Sequence, residues 1–268
     1  MRWEWLSKGR GQMVSIVWRH RLKAAGIHLG SSVLVAAVAA ALVFGLWYPW
    51  PYTVLAGGTE LFVLITAVDV VIGPALTFAV FDRQRKPMGE LQRDLAVIVL
   101  LQLGALAYGM HAIFVARPVA LVLEVDRLRV VRVVDIPEGE VAEAPQALQR
   151  LPLGGPRLLR AEPPTDPDEK FKAVMLASGG VDISARPRYW RPWDATARAQ
   201  VLLRSTPLAQ LRGVDAARKG ELDAAVGRSA RTADQLRYLP LQARKIDWIA
   251  LIDGTSGDVV GYAPFNGF

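Results

Sequence analysis

A single carboxylate lies in the middle of a segment that is otherwise apolar. Asp69 belongs to the stretch ITAVDVVIGPALTFAVF, residues 65–81, and stands five residues before Pro74. A charged side chain at the centre of a lipid bilayer costs about 2.5–3.5 kcal/mol on insertion scales, so it should face protein. What chemistry Asp69 can do therefore depends on whether this segment lies in water or in lipid.

Helical spacing gathers small and polar side chains around that carboxylate. Four residues share one face of the predicted helix: Thr66, Asp69, Gly73 and Thr77. Pro74 has no N–H to donate to the carbonyl of Val70, which predicts a free acceptor and a local kink beside Asp69. We interpret this face as a polar cluster that serves either structure or partner binding.

Two polar residues of another apolar block are expected near Asp69. Counting from the membrane ends at about 1.5 Å per residue puts Tyr108 level with Asp69 and His111 within one turn of it. Three roles stay open for the cluster: a hydrogen bond that holds the helices together, a contact with a partner's transmembrane helix, and proton-coupled work. Separately, Gly26 and Gly30 form a GxxxG pattern, which favours close packing against another helix.

The remaining chemistry is notable for what is missing. The histidines are His20, His28 and His111, and the chain contains no cysteine. Residues 117–268 therefore cannot build a Ser-His-Asp or Cys-His catalytic group, or a zinc site made of histidine and cysteine. We expect no catalytic residue, no cofactor and no metal, and hence no enzyme.

Two pairs of acidic residues give weaker signals. Asp166 and Asp168 form a D-x-D pattern, but Pro167 between them favours a helix cap over a metal site. Asp253 and Asp258 flank the sequence GTSG, where a hairpin turn explains both carboxylates without an ion. Neither pair is predicted to bind metal.

Three apolar blocks stand in the first 116 residues, and the polar cluster lies in the second and third of them. They cover about 24–47, 61–81 and 95–116, and each is long enough to cross roughly 30 Å of hydrocarbon. Buried helices of a large soluble enzyme are the alternative, but three such helices in succession would be unusual. A cleaved signal peptide is not expected, because the first block is too long and ends in LWYPWPY, which has no small-residue cleavage site.

The charges between the blocks predict an orientation. Every Lys and Arg before residue 117 falls either ahead of the first block or between the second and third, while the loop YPWPYTVLAGGT has none. Because basic loops stay in the cytoplasm, the N-terminus should be cytoplasmic and residues 117–268 should lie outside. Residues 1–23, with Trp3, Trp5 and Trp18, are expected to lie on the inner leaflet. Met13 is an alternative start of the chain.

The net charge of +7 does not indicate a nucleic-acid partner, because much of it flanks the apolar blocks and residues 117–268 are nearly balanced. In that region, RPVALVLEVDRLRVVRVVDI predicts one or two strands with a turn near Asp126. LPLGGPRLLRAEPPTDP predicts a loop, TDPDEKFKAVMLASGG a capped helix, and residues 194–212 and 215–237 further helices. The closing segment, RKIDWIALIDGTSGDVVGYAPF, predicts a hairpin.

The predicted fold class is thus a membrane protein with a three-helix transmembrane region, 24–116, followed by a small α+β extracytoplasmic domain, 117–268. Several segments resemble one family, the TfpX/TfpZ type IV pilin accessory proteins, a group of FimB-like accessory proteins for pilin assembly. They are RLKAAGIHLGSSVLVAAVAAALVFGLWYPWPY, AVDVVIGPALTFAVFD, ELQRDLAVIVLLQLGALAYG, ARPVALVLEVDRLRVV and LRYLPLQARKIDWIALIDGTSGDVVGYAPF. The resemblance covers nearly the whole chain from about His20.

That resemblance implies a multi-pass protein of the bacterial inner membrane that assists pilus assembly or shifts the balance of extension and retraction. The implied partner is the type IV major pilin, which waits in this membrane as one transmembrane helix carrying a periplasmic head. Other inner-membrane pilus machinery and membrane lipid are further implied contacts. No catalytic residues carry over from the family.

Two other function classes stay open at this stage. One is a membrane-bound pilin-modifying enzyme of the glycan transferase type, and the other is a structural or sensor protein of the envelope. The mass of pilin after gene deletion separates the first class from a pilin-binding accessory, and piliation with exchanged pilin alleles separates the second.

Overall fold

The computed structural model describes residues 4–216, 218–244 and 247–268, with side chains from residue 18 onward. Trp3, Trp5 and the basic side chains before residue 18 lie outside this description, so the predicted interfacial segment is not tested. The chain divides into two compact units. The helical unit contains the chain up to Gly45 and Thr59–Phe114, and the sheet unit contains Leu46–Gly58 and Val115–Phe268.

Long apolar helices build the helical unit. Their bounds are α1 Glu4–Leu42, α3 Gly58–Ala67, α4 Gly73–Val80 and α5 Met88–Val115, while the short α2, Tyr52–Leu55, lies in the sheet unit. Three stretches are long and apolar enough to cross a membrane, as predicted: a first span Trp18–Trp47, a second span Gly58–Val80 and a third span Met88–Val115. Their side chains are largely exposed within the chain itself, which suits a lipid surrounding.

The first and second spans are joined by specific side-chain contacts. Arg21 donates from Nη2 to Asp82 Oδ2 at 2.9 Å, and His28 Nδ1 lies 2.5 Å from Thr77 Oγ1. Burial acts to raise the pKa of the Asp82 carboxyl, but the backbone N–H of Gln84 and the Arg21 guanidinium outweigh it and hold that pKa below its usual value. These contacts fix α1 beside α4.

The sheet unit contains a mixed sheet of eight strands. Their bounds are β1 Pro118–Leu123, β2 Leu128–Arg132, β3 Arg157–Ala161, β4 Trp190–Pro192, β5 Thr206–Pro207, β6 Leu236–Gln242, β7 Trp248–Asp253 and β8 Val259–Ala263. The spatial order is β4-β3-β1-β2-β6-β7-β8, and β5 pairs with β6. The pairs β1–β3 and β2–β6 are parallel and the others are antiparallel.

The helices α6 Pro167–Ser178, α7 Ala195–Arg204 and α8 Lys219–Arg228 complete this unit. Every residue of β1 and of β7 is buried, as expected for strands that carry side chains into a core on both faces. One core cluster gathers around Val122, Leu159 and Trp190, and a second around Ile249 and Phe265. The predicted α+β class is confirmed.

The loop between the first and second spans folds into the sheet unit. Tyr48, Leu55 and Ala56 are almost completely buried, and the Tyr52 hydroxyl lies 3.1 Å from the hydroxyl of Tyr262 on β8. A backbone hydrogen bond also holds this loop in place, since the N–H of Arg244 donates to the carbonyl of Leu55 at 3.2 Å. The unit is therefore built from two separate pieces of the chain.

Several predicted elements of the sheet unit are confirmed and others are wrong. The turn near Asp126 separates β1 from β2, the hairpin is β7–β8, and Asp166 caps α6 by accepting from the N–H groups of Asp168 and Glu169. The prediction that 151–167 form a loop is wrong for β3. The five residues of β3 form a strand because they pair in parallel with β1, although Gly and Pro stand on both sides of them.

The predicted helices 194–212 and 215–237 are both too long. The first, α7, ends at Arg204, because Pro207 cannot continue a helix and Thr206 pairs with Tyr238. The second, α8, ends at Arg228, and β6 begins at Leu236 beside β7. In both cases pairing with a strand that is distant in sequence overrides the local helical pattern, since β5 pairs with β6 and β6 also pairs with β2.

Candidate functional site

A wide helical turn presents Asp69 at the centre of the second span. Residues Val68–Ile72 form a π-helical turn between α3 and α4. In such a turn each carbonyl bonds the N–H five residues ahead, and the residue five ahead of Asp69 is Pro74, which has none. The carbonyl left over is therefore that of Asp69 and not the predicted one of Val70, because the π-turn changes the count from four residues to five. The kink itself stays a prediction.

Gln102 of the third span uses that carbonyl. Its Nε2 donates to the carbonyl oxygen of Asp69 at 3.1 Å. The approach needs a glycine at position 73, because a Cβ there would overlap the Gln102 amide. Gly73 and Pro74 are both buried at this contact. The second and third spans are therefore connected at mid-depth through a backbone carbonyl and not through the Asp69 carboxylate.

The polar groups around Asp69 differ in whether they have partners. Thr66 donates from Oγ1 to the carbonyl of Phe62 at 2.8 Å, and Thr77 is occupied by His28. Asp69 Oδ1 and Gln102 Oε1 are shielded from solvent and have no hydrogen-bond partner among the described residues. A buried acceptor without a donor costs about 1–3 kcal/mol, so these two atoms call for an explanation.

Both unpaired acceptors border one groove of the helical unit. This groove has a volume of about 650 Å³ and is lined by residues of all three spans. Its walls are mainly apolar, with Ile27 and Val35 from the first span and Val99, Leu103 and Leu106 from the third. We call it the span groove. Its lining contains two cations, Lys23 and Arg83, and the imidazole of His20, all exposed.

The structure brings together only part of the predicted cluster. Thr66, Asp69 and Thr77 line the span groove, and Gly73 and Pro74 shape the helix beside it. Tyr108 and His111 do not: both are exposed on another face of α5, and no hydrogen bond joins either one to Asp69 in the described chain. Equal depth was the reason to expect contact, but depth does not fix the direction in which a side chain points.

Two partners were missed by the sequence reasoning. Gln102 is an amide in the middle of the third span, within the stretch AVIVLLQLGALA, and the argument that singled out Asp69 applies equally to it. His28 was noted only as a histidine. Gly26 and Gly30 are exposed with no atom of the described chain packed on them, so their role in helix packing stays a prediction.

The acidic pairs of the sheet unit have structural roles. Asp253 accepts from the Nε of Arg231 at 2.6 Å and from the N–H groups of Thr255 and Ser256 in the β7–β8 turn. The Arg231 guanidinium and these N–H groups lower the pKa of Asp253 to about 2. Asp258 pairs with Arg198 at 2.6 Å. Among the described residues no group of His, Cys, Asp and Glu side chains could hold a metal ion.

A second apolar surface lies on α6 of the sheet unit. Phe171, Val174 and Met175 are more than half exposed, at positions that share one helix face. Beside them is a cavity of about 390 Å³ with largely apolar walls, which include Val125 and Ile183. We call this the α6 face. Contiguous exposed apolar patches, unlike single exposed apolar residues, are candidate interaction sites.

Comparisons with known proteins identify one family. The family model for the fimbrial assembly protein FimB matches residues 16–57, which include the whole first span and nearly all of the loop that enters the sheet unit. No solved structure matches the chain.

Curated relatives extend the match over most of the chain. The fimbrial assembly protein of serogroup I from Dichelobacter nodosus is 34% identical over 233 residues, which are 86% of this chain and 90% of the relative. The serogroup E1 protein from the same organism is 33% identical with the same coverage. The protein of serogroups C1 and C2, also from Dichelobacter nodosus, is 43% identical over 122 residues, 46% of this chain and 92% of the relative. This chain belongs to the FimB family of fimbrial assembly proteins.

Proposed function

We propose that this protein is a non-catalytic accessory of type IV pilus assembly that binds the major pilin and shifts the balance of pilus extension and retraction. It acts in the bacterial inner membrane, with its N-terminus in the cytoplasm and its sheet unit in the periplasm. The observation that carries the proposal is the span groove, an opening among three apolar helices with two unpaired acceptors at its centre.

The groove suits a transmembrane helix as its occupant. Its apolar walls offer the van der Waals packing on which helix association in lipid depends, and its polar atoms offer hydrogen bonds across the interface. Pilin waits for assembly as a single transmembrane helix with a periplasmic head. The membership of this chain in a fimbrial assembly family supports pilin as the source of that helix.

Orientation follows from charge. Basic residues flank the start of the first span and fill the connection between the second and third, while the connection between the first and second has none. By the rule that such residues remain in the cytoplasm, the sheet unit is delivered to the periplasm. There it can meet the head of the same pilin whose helix lies in the groove.

The α6 face is the proposed contact with that head. Phe171→Glu or Met175→Glu should leave protein levels unchanged, because both side chains are largely exposed, and should reduce surface piliation. Leu203→Glu on α7 is the matched control, since Leu203 is also exposed but belongs to another helix. Equal piliation in all three variants would remove the α6 face from the proposal.

The absence of catalysis is part of the proposal. Residues 117–268 contain no histidine and no cysteine, which leaves few of the side chains used for nucleophilic or zinc chemistry. Intact-mass measurement of pilin from cells with and without the gene tests this. We expect identical masses, whereas a missing modification in the deletion strain would favour the pilin-modifying enzyme.

Photocrosslinking in intact cells tests groove binding. A photoreactive residue at Val99 or Leu103, which line the groove, should capture pilin, and one at Val97 or Leu101, which face away on the same helix, should not. Equal capture at all four positions, or capture of lipid alone, would contradict a pilin site in the groove.

A further inference from the structure

The two unpaired acceptors specify the chemistry of whatever enters the span groove. Asp69 Oδ1 and Gln102 Oε1 are both hydrogen-bond acceptors, whereas the hydroxyls of Thr66 and Thr77 in the same groove are already paired. Gln102 uses its Nε2 on the carbonyl of Asp69, which fixes its Oε1 as the free end of the amide. An ionised Asp69 can only accept, so Asp69 Oδ1 and Gln102 Oε1 then both need a donor.

The depth of these atoms decides where that donor comes from. Asp69 stands midway along the second span and Gln102 midway along the third. At 1.5 Å per residue, each lies about 16–21 Å from the ends of its span. A lipid headgroup at the membrane surface cannot reach them, and an acyl chain has no N–H or O–H group. A transmembrane helix with a polar side chain near its centre can supply the donor.

We infer that the span groove selects a transmembrane helix that carries a hydrogen-bond donor at mid-depth, a hydroxyl, amide or amine side chain, which donates to Asp69 and Gln102. This inference rests on the proposed function and adds what distinguishes the cognate pilin helix from other apolar helices. Asp69 and Gln102 are then specificity residues, and the π-turn at Val68–Ile72 presents the carboxylate to the groove.

Crosslinking yield measures the effect of each acceptor. With the photoreactive residue at Leu103 and the cognate pilin co-expressed, Asp69→Leu and Gln102→Leu should each lower the pilin adduct by about three- to tenfold, the range that a hydrogen bond in a membrane interface supports. Asp69→Asn keeps an acceptor of nearly the same size and should retain most of the adduct. Undiminished yield in both Leu variants would overturn the inference.

A change on the pilin side keeps the test valid if a groove variant fails to fold. Replacing the central polar residues of the pilin transmembrane segment by Leu, one at a time, should lower the adduct for one residue and not for the others. That substitution should cost nothing further in Asp69→Leu, because interacting residues are not additive. Additive losses, or no loss at any pilin position, would contradict donor recognition.

These outcomes separate the inference from the proposed function. If pilin adducts form at Leu103 and their yield does not change with substitution of Asp69, Gln102 or the polar residues of pilin, the groove is still a pilin site but donor selection is overturned. The absence of any pilin adduct at Leu103 and Val99 overturns both.

Discussion

The two units of this molecule handle buried polar groups in different ways. In the sheet unit, Arg186 is almost fully buried, yet its Nε reaches Glu140 Oε1 at 2.9 Å and its guanidinium lies over the ring of Tyr189. In the helical unit, Asp69 and Gln102 each keep one shielded acceptor unpaired. The sheet unit also has a shielded atom without a partner, the Nε1 of Trp193, so the difference lies in placement. Asp69 and Gln102 line one open groove together, where a donor from another molecule can reach them.

The largest effect is expected from a cavity in the core of the sheet unit, which tests whether that unit is closed on itself. Leu55→Ala removes a side chain that is 2% exposed in the loop from the first to the second span, and should destabilise the unit by about 2–5 kcal/mol. Thermal unfolding of the purified full chain, followed by near-UV circular dichroism, measures this loss.

The neighbouring residue provides the control for Leu55. Val54 is 56% exposed, so Val54→Ala should change stability by no more than about 0.5 kcal/mol. Equal effects of the two substitutions would mean that the loop is not part of the folded sheet unit.

A smaller effect is expected from the ion pairs of the sheet unit. Asp253→Asn removes the charge that Arg231 and two turn N–H groups bind, and should cost about 1.5–3 kcal/mol. Asp258→Asn breaks a pair whose side chains are both more than 40% exposed, and should cost about 0–1 kcal/mol. The same unfolding measurement ranks the two, and an equal loss would contradict the difference in burial.

The pH dependence of Asp253 has a definite sign. Its pKa in the folded protein is about 2, below the usual value of 3.8. Its contribution is therefore complete above about pH 4 and is lost as the pH falls toward 2. The melting temperature of Asp253→Asn should approach that of the unmodified protein as the pH falls through this window, and a constant gap would contradict the assigned pairing.

The smallest effect on stability is expected in the helical unit, at the contact between Gln102 and the carbonyl of Asp69. Gly73→Ala should displace Gln102 from the carbonyl of Asp69 and lower stability by about 1 kcal/mol relative to Gly104→Ala, whose Cβ would meet no atom within 4 Å. Thermal unfolding in detergent compares the two variants. Indistinguishable melting temperatures would mean that the Gln102 contact does not hold the spans together.

Much of the fold could be predicted from local sequence, because the relevant physics is local. Apolar length predicts the three spans, and Asp166 followed by Pro167 predicts the start of α6. The strands β3 and β6 could not be predicted in the same way. Each pairs with a strand that is distant in sequence, β3 with β1 and β6 with β2. Local signals near them are misleading, because Pro and Gly surround β3 and a helical pattern precedes β6.

The site shows the same division. Periodicity placed Thr66, Asp69 and Thr77 on one face, and all three line the groove. Depth alone suggested Tyr108 and His111, which point elsewhere, since rotation of one helix about its axis is set by packing and not by position along the membrane. The packing of residues 46–58 in the sheet unit could not be predicted from the local sequence, because Tyr48 and Tyr52 suit a membrane interface equally well.

The most direct test of the central claim uses the absence of cysteine from this chain. With Leu103→Cys as the only thiol on this side, single cysteines placed along the transmembrane segment of pilin should form disulfides at positions spaced three or four residues apart, and Leu101→Cys should form none. That pattern would place one face of the pilin helix in the span groove. Disulfides that form equally from Leu101→Cys, or from neither position, would contradict the account.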